Sequence, residues 1–337
     1  MSKQVMFFAH DPGGAQAISP LISEFANPLV FAKGPALGAM QGAKELPEEA
    51  LLRYSPAFLI TGTSANDFTE RLLWKEAGIN SIPSMAILDF WSNYGVRFSR
   101  YGTENLHLFK YECEYLPKFI CVPDDIAKEE MIRDGVPADI IYAFGNPHFE
   151  FISSRQQKPD AQKMVAQNEK KIVLFASQPF DDVYREGSEL IVLRALISIA
   201  REKPDIEICI RKHPKESSEK FSTFLSEQVS LDSTLDVFDS IDSSDIIVSV
   251  NSMVLLEALF LGKRIISYQP RCKDGKNDFI LTKNDILPFI SNDDEFRACF
   301  ELTLRGKEQY NNSIKCTGII ESIKSFVEAQ IDGKVSN

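Results

Sequence analysis

Short apolar runs recur along the first half of the chain, each closed by a polar or glycine-containing turn and followed by helical spacing. Val5–Ala9 is the first such run; His10-Asp11-Pro12-Gly13-Gly14 closes it, and helical spacing follows over residues 15–26. Residues 28–32, 57–61, 84–88, 119–122 and 140–144 read as further strands. Helices are expected over 67–77, closed by Gly78, and over 126–134, closed by Gly135. A polar stretch, 153–169, then interrupts the pattern, and the same alternation restarts. Strands are expected at 171–176, 206–211, 245–250 and 264–268, with helices at 188–202, 221–228 and 254–261.

Short apolar strands alternating with amphipathic helices imply parallel sheets covered on both faces. The expected class is therefore α/β, with two Rossmann-like, doubly wound domains facing a central, phosphate-handling cleft. The expected boundaries are 1–152 for the first domain, 153–169 for the linker and 170–337 for the second domain. In such sheets, ligands bind beyond the carboxyl ends of the strands. The residues that close each strand are thus the candidates for chemistry.

Composition narrows the field. With 337 residues the chain is long enough for two cores, and its 44% hydrophobic and 25% charged content is that of a globular protein. A formal charge of −11 argues against a broad nucleic-acid surface but leaves room for a local basic pocket. Cys113, Cys121, Cys209, Cys272, Cys299 and Cys316 include no C-x-x-C pair, so neither zinc nor a disulfide framework is expected. Scattered thiols in an acidic chain suit the cytoplasm. The apolar stretch 245–268 is broken by Asn251, Glu257, Lys263 and Arg264, so any membrane association is expected to be peripheral, at the inner face.

Four strand ends carry candidate chemistry. The first is His10 to Gly14: two glycines let the backbone approach a ligand, and the following helix start favours an anion. His10 sits where a general base could act, with Asp11 as its competitor, although a plain turn accounts for the segment equally well. The second runs from Asp89 to Arg97. Trp91, Asn93 and Arg97 could stack on a ring and bond hydroxyls, and Asp89 could orient His10 if the two strand ends are adjacent; packed loop aromatics are the competing reading. The third, Arg211-Lys212-His213-Pro214, is a plausible phosphate clamp, or else a solvated charge run. The fourth is Asn251-Ser252 with Glu257. Ser252 is placed to cap a helix start, whereas Glu257 in an apolar helix needs hydrogen-bond donors, such as ribose hydroxyls.

Together these residues resemble the glycosyltransferase-B superfamily, which includes nucleotide-sugar glycosyltransferases and non-hydrolysing UDP-GlcNAc 2-epimerases. Residues 119–149, ending in Gly145-Asn146-Pro147, look like the end of that group's first domain, and 235–268 look like its donor half. Lys212-His213-Pro214 resembles the Lys/His-Pro motif of bacterial capsule, sialyl-type and polyol-phosphate transferases. The resemblance implies that His213 and Ser252 hold phosphate and that Glu257 binds ribose. The chain departs from the epimerase pattern at Asn251-Ser252-Met253, where those enzymes carry Ser-Gly-Gly, and from the sialyl-type transferases in lacking their double serine.

The resulting expectation is a metal-independent enzyme with no cofactor. It moves a sugar or polyol-phosphate from a nucleotide-activated donor to a surface-polysaccharide or glycolipid acceptor. Gly13, Gly14, Arg211, Lys212, His213, Asn251, Ser252 and Glu257 would bind the nucleotide; His10, Asp11 and Asp89 would be catalytic; Trp91, Asn93 and Arg97 would meet the acceptor. No Asp-x-Asp metal motif is present, although Asp124-Asp125 and Asp181-Asp182 fall in expected loops. Two alternatives stand beside transfer: epimerisation or hydrolysis of a UDP-sugar, and a non-catalytic nucleotide-sugar-binding protein. A homodimer is left open.

Overall fold

The computed structural model describes residues 4–156, 170–180, 186–271, 279–306 and 314–333. Cys272, Asp181-Asp182 and most of the expected linker lie outside them. The described chain contains two parallel sheets. The first has seven strands: β1 (Val5–Ala9), β2 (Leu29–Ala32), β3 (Lys44–Glu45), β4 (Phe58–Thr61), β5 (Ser84–Ile87), β6 (Phe119–Cys121) and β7 (Ile141–Tyr142). They lie in the order β3-β2-β1-β4-β5-β6-β7. The second has five: β8 (Lys171–Ala176), β9 (Ile206–Arg211), β10 (Val229–Leu231), β11 (Ile246–Ser249) and β12 (Arg264–Ser267), ordered β10-β9-β8-β11-β12. Each is the doubly wound arrangement, in which strand order reverses beside the first strand.

The strand sequences explain this arrangement. Every residue of β1, β4, β5 and β6 is buried, as a sheet covered on both faces demands. The helix Ser188–Glu202 buries Val192, Leu193, Leu196, Ile199 and Ala200, one helical face, against the second core.

The chain divides into two compact units, Met1–Ser154 with Ile314–Asn337, and Arg155–Ser313. The expected second domain, 170–337, therefore ends too late. The helix Ile319–Ile331 buries Ile319, Ile323 and Val327 in the first core, a spacing of four that puts all three on one face. Its start is held by Glu150, whose carboxylate accepts from the backbone N–H groups of Gly318, Ile319 and Ile320 at 3.0, 2.7 and 2.8 Å. A carboxylate on three orphan donors at a helix start is favourable by charge and by hydrogen bonding.

Two local expectations also change. The segment expected as a helix over 221–228 forms a 3-10 turn, Ser218–Phe224, followed by β10, which is too short to be seen as a strand pattern. Gly78 lies inside the helix Thr69–Ile79 rather than closing it.

Candidate functional site

In the first unit the carboxyl ends of β1 and β4 bring a polar cluster together. The imidazole of His10 has Nδ1 at 2.8 Å from Asp11 Oδ1 and Nε2 at 3.5 Å from Asp67 Oδ2. Asp11 reaches the next loop with its other oxygen, accepting from Ala65 N–H at 3.2 Å. Burial pushes the Asp67 carboxyl up. The hydrogen bonds from Thr69 and the charges of His10 and Lys33 outweigh it, so the group sits below the usual aspartate value. The candidate base thus lies between two carboxylates, an arrangement suited to holding and moving a proton.

Asp89 plays a different part from the one expected. β4 separates β1 from β5, so the Asp89 strand end does not neighbour that of His10. Asp89 Oδ1 instead pairs with Arg97 Nη1 at 3.0 Å, and Asp89 Oδ2 lies where a side chain on Gly13 would have to go. The carboxylate therefore abuts the start of the helix Pro12–Ile22, where negative charge is favourable. A Cβ on Gly14 would come within 3.0 Å of Gly62 Cα, and one on Gly62 within 2.8 Å of Gly14 Cα. Close packing of helix on strand accounts for Gly14, and room for Asp89 accounts for Gly13, without any phosphate.

The expected acceptor residues separate. Arg97 is 6% exposed; its guanidinium bonds Thr63, Ser92 O and Asp89, so it braces the loops from inside. Trp91 is equally buried, stacked on Phe149 at 5.6 Å with its indole N–H donating to Asp124 at 2.7 Å. These two are packing residues. Asn93, half-buried at a left-handed φ of 54°, keeps its amide unbonded among the described residues.

The second unit assembles its strand ends through a hydrogen-bonded row. Glu216, buried, accepts from Ser177 Oγ at 3.0 Å and from the backbone N–H of His213 at 2.8 Å. That joins the ends of β8 and β9. Gln178 donates to Asn251 Oδ1 at 2.7 Å and accepts from Asn251 N–H at 3.1 Å, which joins β8 to β11. Lys220 lies against both Glu216 and Glu189, at 2.6 and 2.7 Å. The hydroxyl of Ser252 caps the helix Met253–Phe260, accepting from Val254 N–H at 3.3 Å, and Glu257 is buried within that helix.

His213 is set up as a donor. Its Nδ1 accepts from Lys215 N–H at 3.2 Å, so the neutral ring carries its proton on Nε2. Burial lowers the imidazole's affinity for a second proton; Lys215 and Lys212 add to this and Glu216 opposes it. A neutral ring presenting one N–H is a suitable phosphate ligand. Arg211 is not available for that task. Its guanidinium bonds Asp232 at 2.6 Å, Ser240 at 2.7 Å and Thr234, bolting the ends of β9 and β10 together. Lys212 donates to Glu216 O at 3.2 Å and is exposed. Of the three residues expected to form a clamp, Arg211 is bonded inward, while His213 and Lys212 keep N–H groups at the strand end.

Reading strand ends from the sequence missed Asp67, Glu70, Ser177, Gln178 and Glu216. Ser177 and Gln178 follow β8 as His10 follows β1, so the strand-end rule reaches them. Glu70 and Glu216 sit in a helix and a turn, where spacing marks no special role. Among the described residues no group of His, Cys, Asp and Glu is arranged to hold a metal ion, and no helix is long and apolar enough to cross a membrane.

No family model and no curated protein matches the chain. Solved structures do. The UDP-GlcNAc 2-epimerase from Neisseria meningitidis, bound to UDP-GlcNAc, is 16% identical with a TM-score of 0.64, over 96% of this chain and 99% of that one. The Methanocaldococcus jannaschii UDP-GlcNAc 2-epimerase, in complex with UDP-GlcNAc and UDP, is 14% identical with a TM-score of 0.65 over the same shares. The glycotransferase of kitacinnamycin is 13% identical with a TM-score of 0.56, over 99% of this chain and 96% of that one. At these identities the likeness is one of fold: both sheets and their helices follow the glycosyltransferase-B pattern.

Proposed function

We propose that the protein is an enzyme acting on a nucleoside-diphosphate sugar, and that it turns its substrate over without a second acceptor, as an epimerase does. The observation that carries the nucleotide part is the row His213–Glu216–Ser177 and Gln178–Asn251. It fixes three strand ends of one sheet and leaves the His213 Nε2–H free to meet phosphate. The helix start at Ser252 adds a positive dipole end, and Glu257 is the ribose candidate. In the first unit, His10 with Asp11 and Asp67 is the acid–base group. Breaking the bond from sugar to phosphate needs negative charge stabilised on the leaving group and one proton moved, and these residues supply both. The acceptor-free form of the reaction is supported by structural likeness to epimerases along nearly the whole chain.

Transfer to a glycan or glycolipid acceptor is the second reading. It is favoured by the Lys212-His213-Pro214 run and by Asn251-Ser252-Met253 in place of a Ser-Gly-Gly turn. Incubation with UDP-GlcNAc alone, followed by NMR of the sugar signals, separates the two. A new UDP-sugar isomer, or release of UDP with no acceptor, supports the first reading; an unchanged sugar that reacts only when an acceptor is added supports transfer. A thermal-shift panel of UDP, CMP, CDP and GDP and their sugars identifies the base, since a ligand of the folded state raises its stability. No shift with any of them overturns the nucleotide-sugar reading.

A further inference from the structure

The acid–base cluster has a buried carboxyl beneath it that the reaction above does not use. Glu70, 1% exposed, stands in the first turn of the helix Thr69–Ile79. One oxygen, Oε1, accepts from the backbone N–H of His10 at 3.1 Å and from Ser64 Oγ at 2.7 Å. The other, Oε2, is buried with no hydrogen-bond partner among the described residues. A single oxygen thus ties the turn after β1 to the loop after β4, the two segments that carry His10, Asp11 and Asp67.

We propose that Glu70 is the positioning residue of His10, clamping the His10 turn to the Ser64 loop through Oε1 while Oε2 is left to take up or release a proton. This rests on the reading of His10 as the acid–base group. Because both bonds go to Oε1, a proton arriving on Oε2 breaks neither. The clamp persists in both states and tightens when the carboxyl is charged, since bonds to a charged acceptor are the stronger ones. The neighbours set the balance. Burial pushes the Glu70 carboxyl up to about 7, Asp11 pushes the same way, and the bonds from Ser64 and His10 pull against it. Asp67 precedes the Glu70 helix, Arg71 follows Glu70 along it, and Arg97 faces Arg71 from the next loop. Lys33 closes β2 and reaches Thr69 at 3.3 Å. Glu70 therefore changes charge near neutrality, on the turn that carries His10 and beside Asp11.

The test is an NMR titration of the whole chain, following the Glu70 carboxyl carbon and the His10 backbone amide together. In the native protein both signals share a midpoint near pH 7. Ser64→Ala removes one bond to Oε1 and moves that shared midpoint to higher pH; Glu70→Gln abolishes the carboxyl signal and the matching step in the His10 amide. A Glu70 carboxyl that titrates with ordinary glutamates overturns the proposal. So does a His10 amide indifferent to Ser64→Ala. Neither measurement needs turnover, so failure of the enzymatic reading is seen separately, as an absence of product in the native protein. With turnover, Glu70→Gln is expected to flatten the pH–rate profile near neutrality and to lower kcat with KM little changed. A profile identical to the native one contradicts the positioning role.

Discussion

The two units close their parallel sheets in opposite ways. In the first, the strand ends gather carboxylates: Asp11, Asp67, Glu70 and Asp89 lie at or beside the ends of β1, β4 and β5. Two of its cations are spent indoors, with Arg97 bracing loops and Arg71 bonding the carbonyls of Ala65, Asp67, Val96 and Arg97. In the second, the carboxylates are the internal groups. Glu216 and Asp232 are consumed by Lys220, Ser177 and Arg211, and the outward-facing groups are donors, His213 Nε2–H and Lys212. An acidic, histidine-bearing edge suits proton transfer, and a donor-bearing edge suits phosphate. On the proposed reading, the same fold would take on two tasks according to which groups are bonded inside and which are left at the strand ends.

The largest effect that would sharpen this contrast is on turnover. His10→Ala is expected to lower kcat by about 10²–10⁴-fold, the usual contribution of one positioned acid or base, measured by product formation from UDP-GlcNAc. Next comes the internal carboxylate of the second unit. Glu216→Ala leaves Lys220 with one carboxylate instead of two and strips Ser177 Oγ and His213 N–H of their acceptor. Lys220 keeps Glu189, so the main cost is the two hydrogen-bond donors left without an acceptor, about 1–3 kcal/mol each, read as a fall in the urea midpoint. A loss under 1 kcal/mol would show that Glu216 is not the organiser of that edge.

Glu70 gives a smaller, pH-dependent effect. Its carboxyl is raised in the folded protein from 4.5 to about 7, so the native state binds this proton more tightly than the unfolded chain. The contribution is fully present below about pH 4.5 and lost as pH rises to about 7. Across that window native stability falls by on the order of 3 kcal/mol from this group, and Glu70→Gln removes that slope in unfolding curves taken at successive pH values. The smallest change is Gly13→Ala. Its Cβ meets Asp89 Oδ2, so the carboxylate must shift, at about 1–3 kcal/mol in thermal unfolding. An unchanged melting temperature would mean that Asp89 is not seated against that helix.

Much of the fold was legible because burial writes itself into spacing. β8 and the helix Ser188–Glu202 fall where the apolar runs put them, β8 because a strand buried on both faces is short and continuously apolar; β9, IEICIR, instead alternates buried and half-buried residues, the period-two mark of a strand with one face less covered. The return of the helix Ile319–Ile331 to the first core was not legible: its apolar face would fit either unit, and the partners that select one, the Glu150 carboxylate at its start and the Phe119, Tyr142 and Phe144 rings around Phe326, lie far away in sequence. The candidate site was legible as a set of positions more than as a set of roles. His10, Asp11, His213, Asn251 and Ser252 stand at strand ends, as the doubly wound topology requires. Arg211 stands at a strand end too, Trp91 just past one and Arg97 in the loop beyond β5, but they bond partners from distant segments, Asp232, Asp124 and Thr63, and those partners turn them inward. Glu70 escaped for the same reason: 60 residues separate it from the His10 amide it holds.

The division of labour is tested most directly by measuring UDP affinity and UDP-GlcNAc turnover on the same two variants, His10→Ala and His213→Ala. His213→Ala should weaken UDP binding about 10–100-fold, the worth of one hydrogen bond to a charged group, whereas His10→Ala should leave UDP affinity within about twofold while turnover collapses. If instead His10→Ala abolishes UDP binding, or His213→Ala leaves it intact, the assignment of phosphate to the donor-bearing edge and of proton transfer to the acidic one is wrong.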